Sequence, residues 1–240
     1  MTPWEPVLPP PAVPGGAPGT GRLEPALQWL ARCQGAWPPR RPLAAQRVDV
    51  EGSSGGSLQS GAARADAAAD AGVDLLVVRG SGDQAPGVLV AAVLLDLEPV
   101  RAVGTAVAAG WTALTVAVRD GIRTARAHRT DPEALLEATG ATAVAELAGL
   151  LAQASTRRTP VLLDGSALTA AAALVAGRLA VGAQAWWLAG QSPPNPAARA
   201  VHTDLRLAPL LDLRLGLPAG ADLAADVLAA ATALVDRADG

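Results

Sequence analysis

The stretch Val161-Leu162-Leu163-Asp164-Gly165-Ser166 reads as an apolar strand that ends on an acid and opens a helix of small residues. An aspartate there can point into a pocket, and the amides of the helix start can hold an anion. The same letters also spell a tight Asp-Gly turn followed by a serine helix cap, and the residues alone favour that plainer reading. A second stretch, RGSGDQAPG from Arg79 to Gly87, has the glycine content of a phosphate loop after a strand. It lacks the full G-x-G-x-x-G spacing, and Pro86 removes an amide where a phosphate wants donors, so a simple loop is favoured. His128 sits beside Arg126 and Arg129 at an expected helix end, and His202 falls in a polar helical stretch. Neither has a sequence neighbour that suggests catalysis. Trp186 and Trp187 are adjacent in an expected strand, so at most one can face a pocket, and core packing is the reading for both.

Composition removes whole classes of chemistry. All nineteen basic residues are Arg, so neither a lysine Schiff base nor a P-loop lysine is available. A net charge of −3 gives no general attraction to nucleic acid, and nucleic-acid partners are not expected. One cysteine, Cys33, excludes an internal disulfide and any cysteine-rich metal site, and two histidines are too few for most histidine-rich ones. No metal or other cofactor is expected. The apolar runs are short and Ala-rich, which predicts no membrane span, and the start has no signal-peptide pattern. The expected compartment is the cytoplasm.

The elements that position these residues alternate. Strands are predicted at 73–78, 159–165, 185–190 and 209–213. Helices are predicted at 23–33, 64–72, 88–97, 111–128, 132–138, 141–155, 166–179, 197–206 and 222–236. The fold class is therefore α/β, a mostly parallel Rossmann-like sheet covered by helices on both faces, with a Pro-rich N-terminal arm and helix. Ligands in such folds sit at the carboxyl ends of the strands, which gathers the loops at 79–87, 164–166, 190–196 and 214–220. Residues 1–20 read as a flexible Pro/Gly-rich arm, 21–62 as an N-terminal helix and linker, and 63–240 as the α/β domain.

Five separated segments keep an order that goes further. They are PGTGRLEPALQWLARCQGAWPP, ADAGVDLLVV, the run from AVRDGIRTARAH through TPVLLDG, AWWLAGQSPPNPA and LAPLLDLRLGLPAGADLA. Together they resemble the nicotinate-nucleotide–dimethylbenzimidazole phosphoribosyltransferase family. The resemblance implies a phosphoribosyltransferase-like domain over 63–240. It implies a reaction in which a benzimidazole nitrogen attacks C1′ of nicotinate mononucleotide, nicotinate leaves, and the α-ribazole phosphate of the cobalamin lower ligand is formed. It also implies a homodimer and no metal. Substrate-binding positions carried over by the resemblance are Asp164, Gly165, Gly190, Gln191, Arg214, Leu215, Gly216 and Gly220.

The departures from the family pattern lie in the loops. Where the family has a glutamate base in a segment like RLGEGTGA, this chain has Leu217, followed by Pro218. A leucine cannot take a proton, and losing a positioned base costs ~10²–10⁴-fold in rate. Gly80 and Ala85 stand where the central loop has an acid and an asparagine. Pro193 and Asn195 stand where the GQ-x-S-x-E-P segment has serine and acid. An Arg-Lys pair falls on Ala113 and Leu114, after a shortened loop at 104–107. A block is missing between Val50 and about Gly61, which should leave or rearrange a sheet edge.

Three functions follow as expectations. The first is a catalytically degenerate relative that binds nicotinate mononucleotide or a benzimidazole, if it binds any ligand. The second is an active transferase with a rebuilt site, using Asp83, Asp164 or Asp212 as base. The third is pairing with a full-length homologue in place of a homodimer.

Overall fold

The computed structural model describes residues 4–16, 20–104, 110–215 and 219–238. In chain order the elements are α1 (Glu24–Gln34), β1 (Ala45–Glu51), α2 (Leu58–Asp70), β2 (Leu75–Ser81), α3 (Ala85–Leu94), α4 (Pro99–Val103) and α5 (Trp111–Ala125). Then come α6 (Pro132–Thr139), α7 (Thr142–Thr156), β3 (Val161–Leu163), α8 (Ala167–Leu179), β4 (Trp187–Gln191), α9 (Pro196–Asp204), β5 (Pro209–Leu211) and α10 (Ala219–Ala238).

All the strand pairings are parallel and the sheet order is β1-β2-β3-β4-β5, as the α/β reading requires. The order never reverses. Right-handed crossovers then put the connecting helices on one face. Leu76, Val78, Val161 and Leu163 point into that layer, against Val90 of α3, Leu147 of α7 and Leu168 of α8. The alternate residues Leu75, Val77 and Leu162 face the other way, as a strand's two-residue period dictates. Trp29 and Leu30 of α1 cover them, with Ala224 and Leu228 of α10. Both faces are covered, as expected, but the second is closed by the two ends of the chain. Without a reversal there is no switch-point crevice of the doubly wound kind. The ligand site must be built by loops at the common C-terminal end of the strands.

The stretch 34–62, read from sequence as linker, contains β1 and the first turns of α2. Only Val48 and Val50 of β1 are buried, while Arg47, Asp49 and Glu51 alternate with them outside. Two valines among charges give a weak apolar signal, although they are the inward face of an edge strand. Among the described residues β1 pairs only with β2, so it is an edge strand, and it is lined by charges. Those charges also clip the layers together. Arg79 bonds Asp49 at 2.5 Å and Asp222 of α10 at 2.7 Å, and Arg47 bonds Asp222 at 2.6 Å. EGSSGGS is the turn into α2, whose first amides are satisfied by a capping box between Ser57 and Ser60.

The helices of the first layer touch through glycine. A Cβ on Gly149 of α7 would lie 1.9 Å from Leu58 O, and one on Gly61 of α2 would lie 1.8 Å from Glu146 O. Glu146 is buried in this contact, paired with Arg64, and accepts from Ser54 Oγ at 2.6 Å. The described part of the N-terminal arm is also held down. Val7 N donates to Val181 O at 2.8 Å, Trp186 Nε1 donates to Leu8 O at 3.0 Å, and Trp4 and Val7 pack on the main core. Both Trp186 and Trp187 are core residues, and Trp187 Nε1 donates to Ser155 Oγ at 2.9 Å.

Candidate functional site

The C-terminal ends of β2, β3 and β4 converge on Asp164, which is completely buried. Its Oδ2 accepts from Gly80 N at 2.9 Å. Its Oδ1 accepts from Ser166 N at 2.9 Å and from Thr169 Oγ1 at 2.6 Å. Burial pushes its carboxyl above the ordinary aspartate value, and the bonds from Thr169, Ser166 and Gly80 pull the other way. The side chain ties the end of β2 to the turn after β3 and the start of α8. Gly165 takes φ +81°, the left-handed turn that Asp-Gly favours, and Ser166 caps α8 by accepting from Thr169 N at 3.1 Å. The plainer reading of this sequence is the one the fold uses.

The anion cradle expected of such a helix start is filled from within. Gln84, on the loop after β2, places Oε1 on Ala167 N at 3.0 Å and Leu168 N at 3.3 Å. Its Nε2 returns to Gly80 O at 3.3 Å and Gly82 O at 3.2 Å. The first amides of α8 therefore already have partners. Gly80 and Gly87 are needed for this fit. A Cβ on Gly80 would lie 2.5 Å from Ser166 Oγ, and one on Gly87 would lie 2.4 Å from the backbone of Ala167.

Gln191 at the end of β4 extends the same web. It is fully buried, donates from Nε2 to Asp164 O at 3.0 Å and accepts from Leu215 N at 2.8 Å through Oε1. Gly220 lies against it, where a Cβ would come within 2.1 Å of the carboxamide carbon. Gly190 is pressed between Leu163 O, 3.0 Å from its Cβ position, and Ala224 at 3.1 Å. The structure thus brings together Asp164, Gly165, Gly190, Gln191, Leu215 and Gly220. Arg214 is exposed and turns to a neighbouring groove beside β5. Gly216, Leu217 and Pro218 lie outside the described residues, as do 105–109 of the shortened loop.

The other carboxylates named as candidate bases are exposed. Asp83 Oδ1 accepts from Ala85 N at 2.9 Å in the turn that opens α3, and Asp212 Oδ1 accepts from Ser192 Oγ at 3.0 Å. Asn195, at an expected acid position, caps α9 by accepting from Ala197 N at 2.8 Å and Ala198 N at 3.2 Å. An acid would cap equally well, so this replacement leaves the helix start intact. Among the described residues no group of three His, Cys, Asp or Glu is placed to hold a metal ion, and no helix is long and apolar enough to cross a membrane.

Sequence reasoning missed His202. It is buried on α9, with neither ring nitrogen hydrogen-bonded, and burial pushes its imidazole down to about 4. The available signal was the spacing of Arg199 and His202, at i and i+3 on one helical face, with Arg206 in the turn just beyond.

A family model described as Phosphoribosyltransferase (DBI_PRT) matches residues 51–239. Nicotinate-nucleotide–dimethylbenzimidazole phosphoribosyltransferase of Mycobacterium avium (strain 104) is 47% identical over 184 residues, covering 74% of this chain and 52% of the relative. The enzyme of the same name from Mycobacterium ulcerans (strain Agy99) is 42% identical over 198 residues, covering 80% and 55%. The chain therefore spans about half the length of these curated relatives. Among solved structures, CobT from Thermus thermophilus aligns with a TM-score of 0.65 at 29% identity, covering 75% of this chain and 55% of that one. A second structure from that organism, titled as the phosphoribosyltransferase, aligns with a TM-score of 0.76 over 91% of this chain and 90% of that one. Its 22% identity speaks for the fold alone. The strand-end web and the match over 51–239 lead to one statement of kinship: the chain belongs to the nicotinate-nucleotide–dimethylbenzimidazole phosphoribosyltransferase family.

Proposed function

We propose that this protein is a phosphoribosyltransferase-like component of cobalamin lower-ligand assembly that keeps the family's frame and lacks its proton-abstracting chemistry. The observation that carries the reading is the state of Asp164. The carboxylate buried at the strand ends has both oxygens engaged by Gly80, Ser166 and Thr169, so it serves the fold. The sequence supports the same reading at the family's base position, where Leu217 stands in place of a glutamate. The ligands of this frame are nicotinate mononucleotide and a benzimidazole, held through the loops that Gln191 and Gly220 pack together. The protein works in the cytoplasm, as a homodimer or paired with a full-length homologue.

The test is turnover. Purified protein is incubated with nicotinate mononucleotide and 5,6-dimethylbenzimidazole, and the products are separated by chromatography. The proposal expects no α-ribazole phosphate above the uncatalysed background. Product formed in proportion to protein overturns it and restores the alternative, an active transferase with a rebuilt site. Asp212 favours that alternative, because it is exposed and bonded to Ser192 directly after β4. Asp212→Asn and Asp83→Asn then identify the base.

A further inference from the structure

Beside the edge strand β5 lies an open groove of about 400 Å³. Arg199, His202 and Arg206 come from α9 and the turn after it, and Arg214 comes from the segment after β5. Pro193, Leu207 and Pro209 supply apolar wall. None of the three arginines has an ion-pair partner among the described residues. The arginines that do have one are Arg47, Arg64, Arg79, Arg101, Arg119, Arg126, Arg129 and Arg157. Arg199 is anchored by donating from Nη1 to Pro193 O at 3.2 Å and Pro194 O at 2.7 Å. Burial and the neighbouring Arg214 both push its guanidinium down, in keeping with positive charge gathered here without a counter-charge. No carboxylate lines the groove among the described residues, and Asp212 is held to Ser192 on its wall.

His202 lines the same groove, is 6% exposed, and neither of its ring nitrogens has a partner. Both nitrogens are sealed from solvent, so the ring forms wall and leaves the guanidiniums as the gripping groups; its place in the wall makes it a reporter of what binds beside it. Leu207 N donates to His202 O at 2.8 Å and Arg206 N to Thr203 O at 3.2 Å, which closes the end of α9 beneath the groove.

We infer that this groove is a binding site for a phosphomonoester or free phosphate, gripped by Arg199, Arg206 and Arg214, with the His202 ring in its wall. Three planar guanidiniums suit the several oxygens and double charge of a phosphate better than a single carboxylate. Arg214 is also one of the positions that the family resemblance marks as substrate-binding; Arg199, His202 and Arg206 are not, and the inference does not depend on whether pentosyl transfer survives.

The chain's two histidines make the test direct, since His128 lies on a different element and serves as an internal reference. Inorganic phosphate is titrated into the full chain at constant ionic strength while the imidazole resonances of both residues are followed. The expected result is a saturable shift of His202 without one of His128. Arg206→Gly and Arg214→Ala should each weaken binding about tenfold or more, the effect of losing one charge-assisted bond. Arg206 is exposed with φ +56°, where glycine is at ease, so Arg206→Gly removes the charge without threatening the fold. Tighter binding of ribose 5-phosphate than of phosphate assigns an ester, and the reverse assigns the free ion. No saturable shift of His202, equal binding of acetate, or unchanged affinity in both variants overturns the inference.

Discussion

Replacing Asp164 by Asn tests whether this buried carboxylate serves the fold or a ligand. The geometry fixes the expected cost. Asp164 accepts on both oxygens, with Oδ1 taking Ser166 N and Thr169 Oγ1 and Oδ2 taking Gly80 N. Asparagine has one oxygen and one NH2. If its oxygen keeps the Ser166 and Thr169 bonds, its NH2 confronts the Gly80 amide, donor against donor. If it flips, Gly80 N is kept, Thr169 Oγ1 can turn to accept from the NH2, and Ser166 N is orphaned instead. Either arrangement loses one hydrogen bond to a charged acceptor, worth about 1.5–3 kcal/mol, and leaves one backbone amide unpaired in a fully buried site. The relieved cost of burying a charge offsets part of this, so the net loss is about 2 kcal/mol. For a chain of this length that corresponds to a fall in Tm of roughly 4–8 °C. Thr169→Val removes one neutral donor and should cost about 1 kcal/mol. The double variant should depart from the sum, because both residues belong to one hydrogen-bond network. Thermal unfolding followed by circular dichroism reads all three. If Asp164→Asn leaves Tm unchanged and abolishes binding of nicotinate mononucleotide, Asp164 faces a ligand and the structural account fails.

Other outcomes follow from burial and packing. Gly149→Ala puts a methyl group into the Leu58 carbonyl, so α2 and α7 must separate. A loss of about 1–3 kcal/mol is expected by urea titration despite the helix propensity that alanine gains. The His202 imidazole is lowered to about 4 in the fold, against an ordinary value of 6.5. The unfolded chain therefore binds the extra proton first, and stability present above pH ~6.5 is lost as pH falls toward 4, by roughly 3 kcal/mol over the window. His202→Gln should flatten the difference in urea midpoint between pH 7 and pH 5, and an unaltered difference would show that His202 does not titrate in that range. Burial pushes the Cys33 thiol up to about 12, so the native protein should react with thiol reagents at pH 8 far more slowly than the urea-unfolded chain.

The sequence made some elements legible and hid others for physical reasons. VDLLVV, TPVLLDG and AWWLAG stood out because strands buried on both faces need unbroken apolar runs, and β2, β3 and β4 are those strands. Ser166 was readable as a helix cap because capping acts over three residues. β1 was not legible, since an edge strand needs apolar residues only at Val48 and Val50. The five-residue helix α4 was also missed, being too short to show a period. At the site, Asp164, Gln191 and Gly220 were found through resemblance to a family, while their contacts are nonlocal. Nothing in Gln84 announces that its carboxamide will occupy the start of a helix 83 residues later. His202 was visible only as a spacing, because its isolation is a property of packing.

The way the changed loops are stabilised bears on what they now do. A site kept for catalysis leaves donors and acceptors open for its substrate, at a cost in stability. Here the groups at the strand ends are engaged with one another. Gln84 takes the α8 amides, Asp164 takes Gly80, and Gln191 joins Asp164 to Leu215. The replacement Asn195 retains a helix cap that needs only a short polar side chain. Each arrangement stabilises the fold and withdraws a polar group from ligand chemistry. The guanidiniums beside β5 lie at the margin of that web and have no counter-charge among the described residues, so they are free to engage an anion. A variant lacking both Arg206 and Arg214 should then lose phosphate binding while keeping the Tm of the parent within about 2 °C, since exposed charges contribute little to stability. A large fall in Tm in that variant would show that these arginines serve the fold after all.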